Sequence, residues 1–164
     1  MKTKTQKMVL AALIASLTCV ATMLVKIPSP LKGYLNLGDC VVLVSGWVLS
    51  PLYGFLAAGI GSALADVFSG YIIYAPATFV IKGLMALAAY LIFKALNTIK
   101  VTYSRVIGGI IAEIIMVLGY FLFEGALYSF SASVVNIPAN AIQGVAGLIL
   151  GIVLVKIFDK SNII

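Results

Sequence analysis

The sequence contains no histidine, and of its 164 residues only five are acidic. Histidine is the commonest metal ligand and the side chain best suited to general-base work near neutral pH, so zinc chemistry and serine–histidine catalysis both lose their usual partner. No Gly-x-x-x-x-Gly-Lys phosphate loop occurs, which excludes ATP hydrolysis by that route. Gly59-Ile60-Gly61 falls inside an apolar run and reads as a packing face rather than a nucleotide turn. Two cysteines, Cys19 and Cys40, are too few for a disulfide framework. Both lie in or beside apolar segments, where a thiol behaves as a small hydrophobe. The single tryptophan, Trp47, reads as packing or as part of an interfacial belt. Charged residues make up only 10% of the chain, too few to clothe a soluble domain of this size.

What is present is apolar. Hydrophobic residues account for 63% and the mean hydropathy is +1.18, which places the chain in the membrane class. At about 20 residues per crossing, the length allows roughly five to seven spans. The expected fold is an all-α membrane protein, a six-transmembrane-helix bundle forming one integral membrane domain over residues 1–164. Its helices are expected at about 7–25, 36–49, 52–68, 76–96, 105–128 and 134–156. The apolar run that follows Lys2, Lys4 and Lys7 is long for a signal peptide and reads as a retained first helix. Between helices one and two, Lys26 to Gly38 carries Pro28, Pro30, Gly33 and Gly38 and is expected to be a loop folded back on the bundle. Helix two is the short one. From Asp39 to Leu49 it would rise only about 16 Å against a core of about 30 Å, so it must extend backwards, tilt or be re-entrant.

The net charge of +6 sits at the ends of apolar runs, with no basic, aromatic-interleaved face for nucleic acid. With six crossings, Lys2, Lys4, Lys7, Lys94, Lys100, Arg105, Lys156 and Lys160 share one side, and Lys26 and Lys32 the other. The positive-inside rule then puts both termini in the cytoplasm. Small residues recur at four-residue spacing at Ala57, Gly61 and Ala65, at Gly147 and Gly151, and at Ala11 and Ala15, as close helix packing in lipid requires. No internal repeat is visible, which argues against the duplicated halves of many secondary transporters.

Charges inside a bilayer are expensive and mark functional sites by default. Lys82 lies about 9 Å below the start of helix four, and Glu124 about 6 Å below the end of helix five. Asn136, Asn140 and Gln143 fall in the outer half of helix six, and Asp66 and Asp39 at outer helix ends. With Tyr71, Tyr74 and Tyr128 at a similar level, the arrangement reads as a cavity open to the exterior. Plainer roles are also open: a structural Lys82–Glu124 ion pair, tyrosines as an interfacial belt, and Asp39 as a helix cap. Glu113 is expected near mid-membrane and away from this cluster. A stand-alone secondary transporter would use Glu113 or Glu124 as a proton relay, and an intramembrane enzyme would have only Asp66, Glu113 or Glu124 to work with.

Three stretches carry a resemblance: Tyr34-Leu35-Asn36-Leu37-Gly38-Asp39, then GFLAAGIGSALAD over 54–66, then GYIIYAPATFVIKG over 70–83. They resemble the membrane-embedded S components of energy-coupling factor (ECF) vitamin transporters, closest to the hydroxymethylpyrimidine and pyridoxine branch. The absence of histidine, and a single distant tryptophan, depart from the thiamine binders. The resemblance implies six helices, a lid-like loop after helix one and a substrate site near the outer face. It implies binding without catalysis or cofactor. It also implies partnership with a transmembrane coupling subunit and two cytoplasmic ATPases, docked through the Ala11-x-x-x-Ala15 pattern. The expected substrate is a small, neutral, hydroxylated aromatic. Lys82 and Glu124 would address its polar edge, Asn140 and Gln143 would hydrogen-bond it, and Tyr74 or Tyr128 would stack on it, with Asn36 and Asp66 nearby.

Overall fold

The structure, a computed structural model, describes residues 3–29, 31, 33–96, 98 and 100–160. Pro30 and Lys32 of the expected loop, Lys2, and Asn97 of the polar stretch before helix five lie outside the described residues.

Five helices are long and apolar enough to cross a membrane. α1 spans Lys4–Leu24 and α3 Pro51–Phe68, α4 spans Ala75–Ala95 and α5 Val101–Leu127. The last crossing begins with a short α6, Phe130–Ser133, passes through a 3-10 turn at Val134–Asn136, and continues as α7, Ile137–Lys160. α5 therefore starts four residues before the expected 105, and the last crossing runs from 130 to 160 rather than 134 to 156.

α2 spans Gly38–Val48 and does not extend backwards as expected, because the preceding residues pair as strands. β1 (Ile27–Pro28) and β2 (Tyr34–Leu35) form a small antiparallel hairpin, with Ile27 opposite Leu35. The 11 residues of α2 rise about 16 Å. A helix that short is tolerable in a membrane only inside protein. α2 packs on α1, α3, α4 and α7, and ten of its residues are buried. Around it, α3 lies between α1 and α4, and α5 between α4 and α7.

The polarity is inverted relative to a soluble domain. Ile110, Ile114, Leu118 and Leu122 of α5, with Ile142, Val145, Ile149 and Val153 of α7, face outward. Asp39, Asp66, Lys82, Glu113 and Glu124 are all buried. Such an arrangement suits lipid outside and a satisfied polar interior. Trp47 is in the core, packed with Val44, Met85 and Ala89 rather than in a belt. Both cysteines are free thiols.

Close packing uses the small residues. A Cβ at Gly61 would come within 2.4 Å of the Ala15 carbonyl oxygen, so α1 and α3 touch backbone to backbone there. Ala11 is likewise buried against Ala57 and Val41. Of the expected docking pair, Ala11 is thus buried in the bundle and Ala15 is half-buried, with its backbone against Gly61. On the exposed side of α1 the small residues are Ala12 and Ser16.

Candidate functional site

The site lies at the end of the bundle opposite the start of α1 and the end of α7, where α3 ends and α4 begins. Gly70 terminates α3 with φ +84°, a conformation that costs glycine nothing. Around it the Tyr71 N–H donates to the Asp66 carbonyl (2.8 Å) and the Gly70 N–H to the Val67 carbonyl (3.2 Å). These are the two bonds of a Schellman stop. The turn carries Tyr71 and Tyr74 back beside Asp66. Four residues per step then place Tyr74, Thr78 and Lys82 along one face of α4, and Tyr120 and Glu124 along one face of α5.

These side chains close a cavity of about 30 Å³, with Asn36, Asp66, Tyr74, Glu124, Asn140 and Gln143 among its walls. That volume holds about one or two waters. Six of the eight residues expected from sequence to bind substrate therefore meet around one space. The other two do not. Tyr128 is 38% exposed and stands outside the wall. Lys82 is buried behind Tyr120, its Nζ 5.4 Å from that ring's centroid.

The expected Lys82–Glu124 pair is replaced by another. Lys82 forms an ion pair with Asp39, whose second oxygen accepts from Gln143 Nε2 at 2.6 Å. Asp39 is fully buried, and the N–H that opens α2, that of Gly38, donates instead to Asn36 Oδ1 (2.9 Å), so the expected capping role of Asp39 is also corrected. Glu124 Oε1 instead accepts from Asn136 Nδ2 (2.8 Å) and, more weakly, Tyr74 Oη (3.4 Å).

The hairpin between α1 and α2 covers the cavity and is latched at three points. The Leu31 N–H donates to Asn136 Oδ1 (3.2 Å) and the Asn36 N–H to Gln143 Oε1 (2.9 Å). In each case the same carboxamide gives its N–H₂ to a buried carboxylate, Glu124 or Asp39. Third, Tyr34 Oη donates to Asp66 Oδ1 at 2.7 Å. Burial, and then the Asp66 charge, push the Tyr34 phenol up, so it remains a donor at neutral pH. Its ring stacks at a tilt on Tyr71, 4.7 Å between centroids.

Glu113 was expected away from the polar cluster, yet it borders it. A Cβ at Gly147 would lie 2.7 Å from Asp39 Cβ and 3.2 Å from Glu113 Oε1, so both acids face the same glycine. Neither Glu113 oxygen has a hydrogen-bond partner among the described residues. It does not line the cavity.

Sequence reasoning did not assign Tyr34, Thr78 or Tyr120 to the site, and it placed Tyr71, Asp39 and Asn136 at the cavity's depth without giving them a contact. The i, i+4 spacing of Tyr120 to Glu124 and of Thr78 to Tyr74 was a usable signal. For Asn136 the sequence carried depth but not direction, which is set by the irregular turn between α6 and α7.

A solved structure described as "Structure and mechanism of the S component of a bacterial ECF transporter" superposes with a TM-score of 0.79 at 24% identity, covering 98% of this chain and 99% of that one. A relative from Pyrococcus woesei, described as an uncharacterised protein in the gap 3′ region, is 39% identical over 134 residues, 80% of this chain and 87% of its own. The sequence profile of the family described as "ECF-type riboflavin transporter, S component" matches residues 2–160. The chain belongs to this family: it is a multi-pass membrane protein and the substrate-binding S component of an ECF transporter, not an enzyme.

Proposed function

We propose that the chain captures a flat heteroaromatic vitamin or vitamin precursor from outside the cell, beneath the α1–α2 hairpin acting as a lid. Family membership already implies a small-molecule substrate and partnership with transmembrane coupling and ATPase subunits. The observation that carries the finer reading is the tyrosine-lined, hydrogen-bonding cavity beneath a latched hairpin. Ring faces suit a flat ligand and convergent polar atoms suit its edge. The family's name favours riboflavin. The space holds only a water or two, so a flavin and a single ring of the pyridoxine or hydroxymethylpyrimidine type both require the lid to lift.

Both termini lie in the cytoplasm in this reading, on the side where the basic residues gather. The coupling subunit docks on the exposed face of α1, where Ala12 and Ser16 allow close approach. Binding belongs to this chain and the power stroke to the ATPases.

The test is mass spectrometry of the small molecule retained by the purified protein, followed by uptake into proteoliposomes with and without the coupling and ATPase subunits. A retained heteroaromatic and ATP-dependent uptake only in the complete assembly are expected. Proton-driven accumulation by this chain alone would overturn the proposal.

A further inference from the structure

Two carboxylates line the cavity beside neutral hydroxyls and carboxamides. Asp66 and Glu124 are 4% and 3% exposed, and each has one carboxylate oxygen engaged, Oδ1 by Tyr34 and Oε1 by Asn136 and Tyr74. The other oxygens, Asp66 Oδ2 and Glu124 Oε2, are buried with no hydrogen-bond partner among the described residues. Buried acceptors are normally satisfied, and two unsatisfied ones on the wall of one cavity call for donors from whatever enters it. Among the described residues no lysine or arginine lines the cavity. Lys82, whose Nζ stands over the Tyr120 ring, is committed to Asp39. The aromatic lining adds to the same preference, because ring faces attract positive and repel negative charge.

We infer that the site selects a flat ring presenting N–H or O–H donors to Asp66 and Glu124, prefers a protonated amine over a hydroxyl at that edge, and excludes carboxylate or phosphate-ester forms of the same ring. This rests on the cavity being the vitamin site proposed above. It differs from the sequence expectation, in which Lys82 would have met the ligand and made acceptor groups on it welcome.

Calorimetric titration of the purified full-length protein tests it with two probe sets. Pyridoxamine, pyridoxine and 4-pyridoxate carry an amine, a hydroxyl or a carboxylate on one carbon of the same ring. Riboflavin and its 5′-phosphate make the neutral-against-anion contrast on a larger ring. The amine is expected to bind about tenfold tighter than the hydroxyl, as a charge-assisted bond replaces a neutral one. Neither anion is expected to bind saturably. Glu124→Gln and Asp66→Asn replace an acceptor oxygen by a donor, and should narrow the amine-over-carboxylate gap in protein that still unfolds cooperatively. If a variant does not fold, the wild-type series decides by itself. An anion that binds as tightly as its neutral or cationic counterpart overturns this inference and leaves the vitamin reading standing. Failure of every probe to bind overturns both.

Discussion

Lys82 and Asp39 sit on different helices, are both fully enclosed, and neutralise each other. Removing one member of a buried ion pair strands the other, at a cost of roughly 3–5 kcal/mol, whereas replacing both by neutral groups of similar shape costs far less. Lys82→Met alone should therefore lower the thermal unfolding midpoint sharply, and Lys82→Met with Asp39→Asn should recover most of the loss. A double-mutant cycle between Lys82 and Asp39 is expected to show strong coupling, and one between Lys82 and Glu124 near additivity. Coupling found only in the second cycle would contradict the geometry. This residue pair also marks the limit of the sequence. Counting 1.5 Å per residue gives the height of a charge along its helix but not the direction it faces. Lys82 and Glu124 were legible as buried charges at similar depth, while the partner of each was not. Asp39 was misread because an acid in a helix's first turn is ordinarily a solvated favourable charge, and only the burial of all of α2 makes it an interior one.

At the scale of elements, the long helices were legible because lipid demands about 20 apolar residues in each, with breakers at the ends. α2 was only half legible: its shortness was plain, but its central position depends on contacts with α1, α3, α4 and α7 that no local pattern encodes. The lid was legible as a loop, and its hairpin and latches were not. The latches have a measurable consequence. Asn136 ties the Leu31 N–H to Glu124, so Asn136→Ala should speed amide exchange across the β1–β2 hairpin and weaken ligand binding about three- to tenfold, the worth of one hydrogen bond. Unchanged protection of the hairpin would mean that Tyr34 and Gln143 hold it without help. The helical period of α1 yields a second prediction. Ala11 faces the core and Ala12 faces out, so a bulky residue at 11 should destabilise the bundle by roughly 1–3 kcal/mol through overpacking. Ala12→Leu with Ser16→Leu should leave stability and ligand affinity intact and block ATP-driven uptake. Uptake that survives this pair would place the docking face elsewhere.

Between its ends the molecule turns Asp39, Asp66, Lys82, Glu113 and Glu124 inward and its isoleucines and leucines outward, so the polar interior is where any energetic coupling must reside. Two couplings compete for it. In one, a buried acid carries protons and this chain moves solute unaided. In the other, the interior only holds a ligand and a lid, and the work comes from ATP hydrolysed by partners. Glu124 is engaged by Asn136 and Tyr74 beneath the lid, which suits holding a ligand. Glu113 is the better candidate for a proton carrier, being buried between α5 and α7 with neither oxygen hydrogen-bonded among the described residues. Yet it touches neither the cavity nor the lid, and family membership assigns the driving force to partner subunits. Glu113→Gln keeps the size and removes the titratable group, so the two couplings separate cleanly. Ligand affinity and ATP-driven uptake by the complete transporter should stay within about twofold of wild type, a difference of roughly 0.4 kcal/mol, with no change in response to an imposed pH gradient. Uptake that collapses in this variant while ligand binding persists would make Glu113 a proton carrier and the chain a different kind of transporter.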